Sequence, residues 1–158
     1  ASLTGMLVLS TLHTDRAAGA IPRLLDMGVE PYLLTSSLLG VMSQALLRTI
    51  CSGCKRPAEP DRRALASGAF PDDAPDQRYW RGAGCDRCDQ AGYFGRTGVF
   101  ELLAVDDDVR DCVKRRSDLP EIYAAARKNG MITMVEDGYA KAIQGITTLE
   151  EVLRVARP

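Results

Sequence analysis

Four of the five cysteines fall into two Cys-x-x-Cys pairs, Cys51-Ser-Gly-Cys54 and Cys85-Asp-Arg-Cys88, separated by thirty residues. A tight turn inside each pair aims two thiolates at one point, and two such knuckles supply the four soft ligands of a tetrahedral zinc site. Gly53 sits in the first turn, and Gly82, Gly84, Gly92 and Gly95 flank the second pair, giving the permissive backbone that closely folded knuckles need. Four protein thiolates leave no open position for water, so such a zinc is structural rather than catalytic. Two disulfides or a redox-active pair are the competing chemistries. A disulfide inside a Cys-x-x-Cys closes almost no loop, and no βαβ pattern surrounds either pair. Cys112, alone in DVRDCVKRR, reads as a small hydrophobe. His13, the only histidine, reads from its own residue type as an ordinary surface or loop side chain.

The elements that carry these residues follow from periodicity. Residues 5–12, GMLVLSTL, form a short apolar run with the composition of a strand buried on both faces of an α/β sheet. Ala17, Ala18, Ile21, Leu24 and Leu25 then follow helical spacing, with Asp15 as the expected N-cap, Pro22 delaying or kinking the start, and Gly28 as the stop. Pro31 is expected to open a second helix reaching about Arg48, so densely apolar that both sides are buried. From Cys51 to about Gly95 the chain turns to Pro, Gly, Asp and Arg, as in a zinc-stapled excursion, with a short helical possibility in 61–76, the loop-like PDDAPD, and Tyr79 and Trp80 expected over the knuckles. Residues 97–105 return to strand character. Helices are expected over about 107–116, 120–129, 133–143 and 147–156, with Asp106–Asp108 as one start signal and Thr147 or Thr148 before Glu150 and Glu151 as another.

Composition bounds the function classes. The 158 residues, 46% hydrophobic, suffice for one modest core and a small satellite. A formal charge of −1 supplies no field toward phosphate backbones and argues against nucleic acid as a partner. The local cluster of Arg48, Lys55, Arg56, Arg62 and Arg63 fits a solvated basic face better than a polyanion site. The uncharged stretch 31–47 is interrupted by polar residues and short for a bilayer, and no secretory leader opens the chain.

An ordered series of motifs then carries a resemblance. Leu9-Ser10-Thr11-Leu12-His13-Thr14, Arg23-Leu24-Leu25-Asp26-Met27-Gly28, Leu46-Leu47-Arg48, the four cysteines, the run from Gly92 to Leu103 and the run from Gly145 to Val152 together resemble the general secretory-pathway ATPases. The match looks like the carboxy-terminal part of the type II secretion E-component ATPase, close kin of the type IV pilus assembly ATPases. The resemblance implies an α/β fold: residues 1–50 as the end of a RecA-like P-loop ATPase core (a strand plus two helices), 51–95 as an inserted tetracysteine zinc module, and 96–158 as a strand and a helical carboxy-terminal region. It implies ATP and Mg2+ as ligands of the full protein, a homo-hexamer, inner-membrane platform proteins as partners, and a cytoplasmic location peripheral to the inner membrane of a Gram-negative-type bacterium. Its histidine box coincides with Thr11-Leu12-His13-Thr14, which implies that His13 senses the terminal phosphate.

No G-x-x-x-x-G-K-[ST] and no acidic strand motif for magnesium occur, so the chain by itself is expected to be inactive, and its abrupt beginning reads as the end of a longer protein. Met6 and Ala45 depart from the family pattern, where histidine and a basic residue are common. Arg96 reads as structural or interfacial. The alternatives to a motor are a non-enzymatic zinc-ribbon module for a protein or nucleic-acid partner and a redox protein.

Overall fold

The computed structural model describes residues 2–70 and 77–156, which leaves the PDDAPD stretch outside the described residues. In chain order the elements are α1 (Ala20–Asp26), α2 (Pro31–Ser37), β1 (Gly40–Ile50), β2 (Lys55–Ala58), α3 (Arg62–Leu65), β3 (Tyr79–Gly82), β4 (Tyr93–Ala104), α4 (Asp107–Lys114), α5 (Leu119–Lys128), α6 (Met134–Ile143) and α7 (Leu149–Val155). They form two compact units, Ala1–Ser43 with Glu101–Ile132, and Gln44–Phe100 with Thr133–Pro158. β1 pairs with β4, and β2 pairs with β3 as an antiparallel hairpin.

The first unit is built on α1, α2, α4 and α5. Helix α1 starts at Ala20, later than the apolar periodicity begins, which puts Pro22 in the first turn, where its missing N–H costs nothing. Gly19, not Asp15, is its N-cap. At its other end Gly28 (φ +86°) donates to Leu25 O and Val29 to Leu24 O, the paired bonds of a glycine-terminated helix. Pro31 opens α2 as its position predicts. Asp106 caps α4 by accepting from Val109 N, and Asp118 caps α5 by accepting from Glu121 N. The core joins Ala17, Ala18, Ile21 and Leu34 to Leu103, Val109, Val113, Ile122 and Met131.

Two expectations are corrected here. Residues 5–12 are not a buried strand: they pair with no strand among the described residues, and Leu7 and Leu9 are 77% and 88% exposed. A strand needs a neighbour to satisfy its backbone groups, so an apolar run alone does not make one. The second helix stops at Ser37 rather than near Arg48, and the remainder is β1. Along β1, burial alternates: Val41, Ser43, Ala45 and Leu47 are sheltered, while Met42, Gln44, Leu46 and Arg48 face outward. That is the period of a strand with one face covered, and the outward Met42 and Leu46 disguise it as a run buried all round.

In the second unit, α6 packs on α7 and on β3, and α3 packs on α7. Thr133 and Glu136 form a reciprocal capping box at the start of α6. The core gathers Leu47, Ala64, Phe70, Tyr79 and Val99 with Val135, Ala142, Leu149 and Val152. The cysteine-bearing stretch therefore shares a core with the last two helices. Tyr79 lies in that core, and Trp80 lies under the Lys55 ammonium, 4.8 Å from the ring centre.

Candidate metal centre

The first knuckle follows β1 directly. Cys51 N–H donates to Gly92 O at 2.9 Å, Cys54 N–H closes the turn on Cys51 O, and Cys54 O receives Ala83 N–H at 3.0 Å. In the second, Cys88 N–H donates to Cys85 O, and Asp89 and Gln90 both take positive φ, so the chain doubles back tightly enough for Gln90 N–H to reach Cys85 O as well. The second knuckle closes where Gly82 crosses Gly92, beside the bonds from Cys51 N–H to Gly92 O and from Ala83 N–H to Cys54 O. A Cβ on Gly82 would stand 1.9 Å from Gly92 O, so only glycine allows this approach.

The result is a cage of four sulfurs, all Sγ atoms within 4.8 Å of one another. Cys51–Cys85 and Cys54–Cys88 are each 3.8 Å apart, and Cys85–Cys88 is 3.7 Å. With Zn–S bonds of about 2.3 Å, the edge of a tetrahedron is roughly 3.8 Å. A disulfide requires about 2.05 Å, and all four cysteines are free thiols. The geometry thus fits one thiolate-bound metal and does not fit bridged sulfurs. Burial opposes ionisation of Cys88, but the backbone N–H groups of Cys85 and Gly92, at 3.4 and 3.3 Å from its Sγ, together with the Cys85 and Cys54 thiols, outweigh it and hold that thiol below its ordinary range. Such donors stabilise the thiolate form a metal binds.

The strand entering the site is clamped at Arg48. Glu151 on α7, its side chain fully buried, accepts from Arg48 N at 2.9 Å, from the Arg48 guanidinium at 2.7 and 3.0 Å, and from Arg154 at 2.6 and 2.8 Å. Burial alone would push Glu151 up, yet these bonds bring it down to about 2. The Arg48 guanidinium also lies 4.3 Å from the Tyr93 ring centre, and the Tyr93 hydroxyl is 2.8 Å from that of Thr148. Thr147 Oγ1 donates to Arg48 O and Ile50 N–H donates to Ile146 O, both at 2.8 Å. The Gly145–Val152 motif is therefore the seat of the strand that delivers Cys51. Its sequence reads as a capping signal, and Thr148 does cap α7, but Glu151 is spent on Arg48 instead of closing a capping box. An acidic residue at a helix start gave no sign of its distant partner.

Two members of the basic cluster are engaged within the chain, Arg48 on Glu151 and Lys55 over Trp80, while Arg56 on β2 and Arg62 and Arg63 on α3 are exposed. Cys112 is buried in the first unit's core beside Val109 and Val113. Ala45 packs half-buried against the second unit's core, Met6 is exposed, and Arg96 is exposed on β4. His13 is exposed in the irregular segment ahead of α1, in the first unit, whereas the cysteine cage belongs to the second.

The profile of the family described as "Type II/IV secretion system protein" matches residues 1–154. The chain is 48% identical over 157 residues to type II secretion system protein E of Pseudomonas aeruginosa, covering 99% of this chain and 31% of that protein. It is 48% identical over 154 residues to the type IV pilus assembly ATPase PilB of Thermus thermophilus, covering 97% of this chain and 17% of that protein. To the type II secretion system ATPase E of Vibrio cholerae it is 45% identical over 157 residues, 99% of this chain and 31% of that protein. The chain thus spans less than a third of the length of each of these relatives, and it belongs to the type II/IV secretion system protein family.

Proposed function

We propose that this chain is the carboxy-terminal part of a motor ATPase that couples ATP hydrolysis to pseudopilus assembly and protein export by type II secretion, or to a type IV pilus-like process. The observation that carries the reading is near-half identity along almost the entire chain to proteins that include a secretion ATPase and a pilus assembly ATPase. In this reading residues 1–50 complete a RecA-like core whose nucleotide elements, the P-loop and the magnesium-holding acid, lie elsewhere in the full protein. The full protein binds ATP and Mg2+, works as a hexamer, and is held at the cytoplasmic face of the inner membrane by platform proteins. No helix among the described residues is long and apolar enough to cross a membrane.

Within this division of labour, His13 faces the terminal phosphate. An exposed imidazole on an irregular segment is free to donate a hydrogen bond to a γ-phosphate and to lose it on hydrolysis. Cys51, Cys54, Cys85 and Cys88 hold zinc, and the ion contributes four metal–thiolate bonds that staple a lobe with few aliphatic residues. The engagement of Arg48 and Lys55 within the chain weighs against a nucleic-acid-binding ribbon, and the convergence of four sulfurs, rather than one pair, on a single point weighs against a dithiol redox centre.

A two-armed assay tests the proposal. Purified alone, the chain releases no phosphate from ATP, whereas the complete ATPase hydrolyses it and loses at least about tenfold in kcat on His13→Ala. Robust hydrolysis by the isolated chain, or an unchanged kcat in the histidine variant, overturns the corresponding part. Cys85→Ser in the complete protein is expected to release zinc and stop secretion.

A further inference from the structure

Glu101 is a carboxylate in the wrong place for a soluble charge. It lies on β4 between Phe100 and Leu102, only 3% exposed, with Leu103 of the apolar core two residues further on the same face. A buried carboxylate persists only where it is used. Its Oε1 accepts the backbone N–H of Ala17 at 2.9 Å, across 84 residues of sequence. Ala17 and Ala18 are fully buried in the same core, and the Arg16 guanidinium lies 5.8 Å from the Tyr123 ring centre. The chain is therefore fixed at 16–18, while residues 6–14 just before it have no regular secondary structure. His13 stands four residues from Ala17, a reach of at most about 14 Å.

We propose that Glu101 is a positioning residue for His13: by holding the Ala17 amide it anchors the segment that presents the imidazole. This rests on the reading of His13 as a phosphate-facing group. The task needs only an acceptor oxygen at this place in the core, where its bond to a single N–H fixes one backbone position. Helix α1 begins immediately after the anchor, so the anchor also separates a rigid part of the chain from an adaptable one.

The test compares Glu101→Leu, which removes the acceptor within an apolar core, with Glu101→Gln, which keeps one acceptor oxygen. In the chain itself, Ala17 amide exchange is expected to accelerate at least about tenfold in the Leu variant. The Ile122 amide, bonded to Asp118 O within α5, serves as the control and keeps its rate, which separates loss of the anchor from loss of the fold. The NMR signals of His13, the one histidine in the sequence, are expected to sharpen toward free-loop behaviour in the Leu variant and stay put in the Gln variant. In the complete ATPase, Glu101→Leu is expected to lower kcat by about 10- to 100-fold with little change in KM, as misplacement of a group near the chemistry does, and Glu101→Gln is expected to recover most of it.

An Ala17 exchange rate unmoved by Glu101→Leu overturns the inference. So does a kcat unmoved by Glu101→Leu when His13→Ala impairs it, or a kcat lowered by Glu101→Leu when His13→Ala leaves it intact. Failure of His13→Ala to matter in any background instead overturns the phosphate-facing reading, and the exchange measurement still judges the anchor.

Discussion

Glu151 holds its charge against burial because two guanidinium groups and one backbone amide converge on it. Its pKa of about 2 in the folded chain lies below the ordinary 4.5, so the unfolded state binds the extra proton. The stability contributed is complete above about pH 4.5 and is lost as pH falls toward 2. Both arginines are about half exposed, which screens the pair, and the contribution is on the order of 2 kcal/mol. Glu151→Gln is therefore expected to cost about 2–3 kcal/mol in urea unfolding at pH 7, and to flatten the fall in stability between pH 5 and 3. An unchanged acid limb in the variant would assign that limb to other carboxylates. Arg48→Ala is expected to cost less, since it leaves Arg154 in place and removes a side chain that is half in water.

At the scale of elements, α6 and α7 meet at a point with no slack. A Cβ on Gly138 would lie 2.6 Å from Cγ1 and 3.0 Å from Cγ2 of Val152, whose side chain is fully buried and, being β-branched, has little rotamer freedom in a helix. Glycine costs a helix interior up to about 1 kcal/mol, yet here the close packing outweighs that penalty. Gly138→Ala is expected to destabilise by about 1–3 kcal/mol, and Val152→Ala in the same chain to recover part of the loss, read from thermal melting of the two single variants and the double. A stabilised Gly138→Ala chain would mean the helices can move apart freely. The Gly145 turn between the same helices is equally tight, since a Cβ there would stand 2.5 Å from both Lys55 Nζ and Trp80 Cδ1. The β2–β3 hairpin thus rests on the turn that precedes α7.

For the whole molecule, the two cores are expected to depend unequally on metal. The core around Val109, Ile122 and Met131 contains no ligand of the cage, whereas the core around Leu47, Tyr79, Val99 and Val152 is threaded by the segment the cage closes. Metal analysis is expected to return about one zinc per chain. Chelation is expected to abolish amide protection at Ala83, bonded to Cys54 O, and at Gly92, bonded to Cys88 Sγ, while Ile122 and Met131 keep theirs, measured by hydrogen exchange with and without chelator. Uniform loss of protection would show that both cores need the metal, and no loss would show that the thiols do not hold one.

Much of this protein was legible in its residues. The Cys-x-x-Cys pairs pointed to the four sulfurs that the fold brings together because turn geometry inside each pair is local, and the four carboxy-terminal helices fall within about two residues of their expected bounds, two of them on start signals, Asp106 and Thr148, that are local as well. What failed depended on neighbours. The run 5–12 has strand composition but no partner among the described residues, and β1 was hidden inside a longer apolar stretch because its outward residues, Met42 and Leu46, are apolar too. The roles of Glu101 and Glu151 were illegible for the same reason: each is fixed by a bond across 84 or 103 residues, and local sequence carries no record of which distant amide or guanidinium a carboxylate will meet. Sequence determined the four cysteines that cluster, the caps of α4 and α7 and the family. Tertiary structure decided which faces are covered and which charges are buried, because burial is a property of what packs against a residue and not of the residue itself.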